Sequence, residues 1–104
     1  MPDKIAIVTG SSSGIGLLTA IELAKNGFKV VASMRDLERR ARLDEAAASS
    51  HVTGQLDVRR LDVTDFAAVP KFVEQVVQDY GRIDALANNA GFAVAGFAED
   101  MEAR

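Results

Sequence analysis

The chain contains no cysteine and no tryptophan, a single histidine and only two prolines among its 104 residues. Without cysteine there is no disulfide framework, no thiolate metal site and no cysteine nucleophile, and a reducing, cytoplasmic location is expected. Long apolar runs are missing too. No stretch approaches the ~20 apolar residues of a membrane span, and no charged-then-apolar leader opens the chain, so no membrane association is expected. Nor is there an excess of positive charge: 12 basic against 15 acidic residues leave a net charge of -3. That balance argues against non-specific nucleic-acid binding, which needs a clustered basic surface to displace counterions. What is present is an ordinary globular composition, 48% hydrophobic and 26% charged. The length admits one domain, taken as residues 1–104.

Along the chain, strand and helix patterns alternate. Ile5-Ala-Ile-Val8 is a short apolar run of the kind that forms a buried strand. Leu18, Ile21 and Leu23-Ala24 then recur at helical spacing from Ile15 onward, and Lys25-Asn26-Gly27 supplies a stop. Phe28 to Ser33 reads as a second strand, and Asp36 as the N-cap of a helix running to Ala48. A third strand lies within Leu56 to Leu61. Thr64 or Asp65 opens a third helix that ends at Tyr80-Gly81, although Pro70 either breaks one backbone bond or marks a later start. Ile83 to Ala87 makes a fourth strand, and the last thirteen residues read as a loop with the first turn of another helix. This α/β alternation predicts a parallel sheet with right-handed crossovers. Strands one to three progress in one direction with two helices on one face. The third helix crosses to the other face and brings strand four beside strand one, giving the order 3-2-1-4.

The most informative spacing is Thr9-Gly10-x-x-x-Gly14-x-Gly16, between the first strand and the first helix. Gly10 permits a sharp turn out of the strand, Gly14 leaves backbone N–H groups open to a pyrophosphate, and Gly16 allows close helix packing. The helix N-terminus, with unpaired N–H groups and partial positive charge, would face the phosphates. A glycine triplet alone is weak, but inside a first β-α-β unit it is strong.

The sequence T-G-x-x-x-G-I-G, followed by Asp62 in L-D-V-T and by Asn88-Asn-Ala-Gly91, resembles the short-chain dehydrogenase/reductase family in its single-domain branch. The likeness covers essentially the whole chain. Val31 to Leu37 is similar to the NADP-using, steroid- and retinol-dehydrogenase-like members. The resemblance implies a Rossmann-type doubly wound sheet, cut after the fourth strand, and hydride transfer between a nicotinamide dinucleotide and an alcohol or carbonyl substrate. It places the cofactor diphosphate on Gly10, Ser12, Gly14, Ile15 and Gly16. Asp62 with Val63 would meet the adenine, and Asn88, Ala90 and Gly91 would line the riboses. Read from the residues alone, Asp62 could simply end a strand, and the Asn pair could form a turn that satisfies its own backbone.

Cofactor preference turns on the end of the second strand. An acidic residue there would bond the adenosine ribose 2′-OH and repel a 2′-phosphate. Met34 does neither, and Arg35 offers a planar fork matched to phosphate oxygens, which favours NADP(H) over NAD(H). The alternative has Arg35 solvated and Asp36 on the ribose, but Asp36 is better used as a helix cap. The family's other NADP marker, a basic residue just before the second glycine, is absent because Ser13 stands there.

Other polar residues carry less. Ser11 to Ser13 have no G-x-S-x-G setting for a nucleophile. His51 reads as a surface residue. Arg39, Arg40 and Arg42 fall among Glu38, Asp44 and Glu45 and read as a solvated helix face. The carboxylates form no metal-ligand cluster. The family's proton donor is a Tyr with a Lys four residues on, whereas the single Tyr, Tyr80, is followed at position 84 by Asp. The resemblance puts every catalytic position beyond Arg104. The expected reading is therefore the cofactor-binding part of a reductase, inactive alone. The alternative is a non-catalytic NADP(H)-binding or interaction module. An open fourth-strand edge predicts self-association.

Overall fold

The computed structural model describes residues 4–88. Its elements are β1 (Ile5–Thr9), α1 (Gly14–Lys25), β2 (Lys29–Met34), α2 (Ala41–Ser49), β3 (Leu56–Arg60), α3 (Ala68–Tyr80) and β4 (Ala85–Asn88). Short 3-10 turns at Leu37–Arg39 and Thr53–Gln55 flank α2. The four strands form one parallel sheet in the order β3-β2-β1-β4, as expected, with Ile7 beside both Val31 and Leu86.

A strand covered on both faces needs apolar residues at every position, and β1 is buried along its whole length. Alternation then divides the core in two. Val8, Val30, Ala32 and Met34 meet Ala20, Ile21 and Ala24 of α1 and Leu43 and Ala47 of α2. Ile5, Ile7 and Val31 turn the other way, against Val76 of α3, with Phe72 and Val73 packed beside it.

Three expected boundaries shift for local reasons. Asp36 caps the 3-10 turn rather than α2: its Oδ1 accepts the Glu38 N–H at 3.0 Å, and the α-helix begins only after Arg40. Helix α3 starts at Ala68 because Asp62 and Asp65 first close two successive turns, Asp65 N–H to Asp62 O and Ala68 N–H to Asp65 O. Pro70 thereby falls in the first turn of α3, where a missing N–H breaks no intrahelical bond. Strand β4 begins at Ala85 because Asp84 already spends its backbone N–H and its carboxylate on the Ile5 main chain, at 2.7 and 2.8 Å.

Candidate functional site

The carboxyl ends of β1, β2 and β3 empty onto the start of α1. The chain leaves β1 at Gly10 and enters α1 at Gly14, both at φ 61°, a conformation that side chains with a Cβ rarely adopt. A Cβ at Gly14 would meet nothing within 4 Å, so the space beside it is open. At Gly16 the reason for glycine is contact: a Cβ there would lie 2.0 Å from the Gly10 carbonyl oxygen. Gly16 thus holds α1 against both the turn and the end of β1, where the Thr9 carbonyl oxygen would lie 3.1 Å away.

Ser13 occupies the N-cap position of α1 without a side-chain hydrogen bond to the helix. The first-turn N–H groups of α1 are therefore not capped by Ser13 and can donate to an anion. Ser11 fixes the turn from the other side. It is fully buried, and both its N–H and its Oγ donate to Ser33 O, at 3.1 and 2.9 Å. No nucleophilic chemistry attaches to it; it ties the glycine turn to β2.

Two hollows share Ser12 as a wall. One, of about 340 Å³, is lined by Gly10, Ser12, Met34, Arg35, Leu61, Asp62, Val63 and Thr64. The other, of about 330 Å³, lies between Ser12 and Ser13 on one side and Arg39, Ala41 and Arg42 on the other. Asp62 is held by its neighbour: its Oδ1 accepts the Thr64 N–H at 3.0 Å and the Thr64 hydroxyl at 2.6 Å. Those two bonds, helped by the positive charges of Arg35 and Arg60, keep its carboxyl below the usual carboxylate range. Asp62 is thus an ionised, oriented acceptor at ordinary pH. Val63 beside it is buried.

Among the residues singled out in the sequence, Gly10, Ser12, Arg35, Asp62 and Val63 converge on the first hollow. Gly14 and Gly16 sit at the adjoining helix start, and Ile15 follows there with its side chain 72% exposed, outside the lining of both hollows. Asn88 lies at the end of β4, where its Oδ1 accepts the Thr9 hydroxyl at 2.8 Å. Ala90 and Gly91, with the final loop and turn, fall outside the described residues. His51 is exposed at the end of α2.

The part played by Thr64 lies outside the sequence reading, although Asp-x-Thr is a local turn pattern in which the carboxylate takes the second residue's N–H. Arg39, Arg40 and Arg42 are exposed, as a solvated helix face requires.

The family model described as short chain dehydrogenase matches residues 4–104. YusZ of Bacillus subtilis, an uncharacterized oxidoreductase, is 46% identical over 101 residues, covering 97% of this chain and 35% of that protein. Human 17-beta-hydroxysteroid dehydrogenase type 1 is 42% identical over 100 residues, covering 92% of this chain and 30% of its own. Among solved structures, a metagenomic short-chain oxidoreductase in complex with NADP superposes with a TM-score of 0.76 at 31% identity, over 88% of this chain and 40% of the other. The chain spans about a third of the length of the curated relatives it matches.

Proposed function

The chain belongs to the short-chain dehydrogenase family, and on that footing we propose that it is the dinucleotide-binding portion of an oxidoreductase that takes NADP(H) in preference to NAD(H). When bound, that cofactor supplies or accepts the hydride exchanged with an alcohol or carbonyl carbon. The residues fit such a ligand. Uncapped N–H groups at Gly14 to Gly16 beside open space suit a diphosphate, with Ser12 next to them. Asp62, oriented by Thr64, is an acceptor for an amino group such as that of adenine, and Val63 offers apolar contact. Asn88, with Ala90 and Gly91 after it, is assigned to the riboses. A cytoplasmic site of action and self-association through β4 belong to the same proposal.

The preference for NADP(H) rests chiefly on one juxtaposition. Arg35 lines the same hollow as Gly10 and Ser12 of the glycine turn, while the nearby acidic Asp36 is occupied by Glu38 N–H. The solved neighbour in complex with NADP supports the use of a nicotinamide dinucleotide. Arg35→Ala should weaken NADPH binding by about 1.5–3 kcal/mol, the value of a charged hydrogen bond, with little change for NADH. Fluorescence titration of both nucleotides tests this, and an unaltered NADPH affinity would refute the assignment. The 104-residue chain has no Tyr-x-x-x-Lys, since Asp84 follows Tyr80 at that spacing. A hydride transfer to a carbonyl needs a proton donor at the developing alkoxide. The chain alone should accordingly bind NADPH but not turn over ketones, and turnover above blank would count against this.

A further inference from the structure

Lys25-Asn26-Gly27 ends α1, and this turn holds a reactive step far from the glycine turn that opens the helix. The chain has three asparagines, at positions 26, 88 and 89, and only Asn26 precedes a glycine. An Asn-Gly step is prone to cyclise because no side chain on the glycine shields its backbone nitrogen. Both residues are exposed. The folded turn nevertheless opposes ring closure in three ways. The Gly27 nitrogen, which would attack, has its N–H donated to Ala24 O at 3.1 Å. The Asn26 Nδ2, which would leave, donates to Glu22 O at 2.7 Å and to Glu22 Oε2 at 3.2 Å. Asn26 also sits at ψ 17°, which nearly eclipses the Gly27 nitrogen with the Asn26 nitrogen, whereas a five-membered ring needs it eclipsed with Cβ.

We propose that Asn26 is a deamidation site gated by the C-terminal cap of α1: it stays intact while the cap is closed and reacts when the last turn of the helix opens. In the open turn the Gly27 nitrogen gives up its proton and attacks Asn26 Cγ. A bond forms between Cγ and that nitrogen, the Cγ–Nδ2 bond breaks, and Nδ2 leaves as ammonia with the proton that Gly27 lost. Water then opens the succinimide at one of its two carbonyls. One product is aspartate; the other is isoaspartate, with the chain running through Cγ. One water is consumed, one ammonia is released, and nothing is oxidised or reduced. Either product disfavours the closed cap. A carboxylate replaces the amide that donated to Glu22, which makes an i,i+4 pair of like charges at the negative end of α1. Isoaspartate also adds a backbone carbon between α1 and β2, where Phe28 N–H is bonded to Leu23 O at 3.1 Å and Lys29 N–H to Lys4 O at 2.8 Å. The modification thus removes the closed turn that had prevented it.

The test incubates the 104-residue chain in mildly alkaline buffer, with and without denaturing urea, and follows aspartate and isoaspartate at position 26 by peptide mass spectrometry. The chain in buffer should react at least about tenfold more slowly than the chain in urea, because the turn must first open. Glu22→Ala removes one of the two bonds to the Asn26 side chain. It should speed the reaction in buffer about two- to tenfold and leave the rate in urea unchanged. Glu22→Gln keeps an acceptor oxygen in place and should react like the parent. Asn26→Asp carries the carboxylate from the start and should melt below the parent. Equal parental rates in buffer and in urea overturn the gate, and so does a Glu22→Ala rate no faster than the parent's. No reaction at Asn26 in urea overturns the site itself. An Asn26→Asp chain as stable as the parent overturns the effect on the cap. The melting temperature of Glu22→Ala separates the cap from the whole fold. Acceleration at a parental melting temperature supports the cap, whereas acceleration that comes only with a lowered one makes global unfolding the gate and overturns the proposal.

Discussion

At the scale of single residues, the two glycines that open α1 are needed for different reasons. Gly14 needs glycine for its positive φ, whereas Gly16 needs it because the Gly10 carbonyl stands where a Cβ would go. Gly16→Ala must displace backbone and should cost about 1–3 kcal/mol of stability, as overpacking does. It should also weaken dinucleotide binding by moving the helix start. Gly14→Ala should cost about 1–2 kcal/mol through strain alone. Thermal melts of the two variants beside NADPH titrations separate these effects, and a Gly16→Ala protein as stable as its parent would contradict the contact. Sequence spacing correctly singled out both positions. It attached the phosphate role to Gly14 and the packing role to Gly16, and only the backbone geometry showed that the tight neighbour of Gly16 is the turn.

At the scale of elements, helix ends repay comparison. Helices α1 and α2 finish with the same pair of backbone bonds. In α1, Gly27 N–H reaches Ala24 O and Phe28 N–H reaches Leu23 O; in α2, His51 N–H reaches Ala48 O and Val52 N–H reaches Ala47 O. The residue between must be left-handed, and α1 uses glycine where α2 uses His51 at φ 59°. His51→Gly should therefore stabilise the protein by about 0.5–1 kcal/mol, the strain relieved less the added freedom of the unfolded chain. A melting temperature unchanged or lowered would refute this.

The docking of α3 on β3 is polar at one corner. Arg59 bonds Asp57 and Asp79 at 2.8 and 2.7 Å, and the Tyr80 hydroxyl donates to Asp57 Oδ2 at 2.5 Å. Burial pushes the Asp57 carboxyl up, but the Arg59 and Tyr80 hydrogen bonds outweigh it and hold the group below the usual 3.8. The same contact with Asp57 raises the Arg59 guanidinium, and burial followed by the Asp57 bond raises the Tyr80 phenol. A carboxyl depressed on folding contributes stability that is present above pH 3.8 and is lost as pH falls through its lower folded value. Asp57→Asn should remove about 1–2 kcal/mol near neutral pH, discounted for partial exposure, and flatten the acid limb of the stability curve. Urea melts from pH 2 to 7 would show it, and parallel curves for the two proteins would disprove it.

At the scale of the molecule, cover on the two sheet faces is unequal. Helices α1 and α2 share one face, while among the described residues only α3 covers the other. Strand β4 is paired to β1 alone among the described strands, and Phe66, Leu18 and Ile15 are each about two-thirds or more exposed. A strand edge with no partner among the described strands, together with exposed apolar side chains on the surface, favours association. Light scattering of the 104-residue chain should show a mass that rises with concentration. A concentration-independent monomer with a sharp, cooperative melt would refute that expectation.

The amino-acid sequence by itself determined the order of elements, the glycine turn and the family likeness, and the strand order followed only through the doubly wound topology. These rest on local information: alternation of apolar runs, helix periodicity, stop residues, and motifs contained within a few consecutive positions. Boundaries slipped where a side chain captured a nearby N–H, as Asp36 and Asp62 do, because such bonds compete with helix initiation. Contacts across long separations were decided only by the tertiary structure. The Ser11 clasp on Ser33 and the Tyr80–Asp57 bond join segments more than 20 residues apart. Such pairs leave no periodic trace, because their partners are brought together only when the strands and helices pack on one sheet.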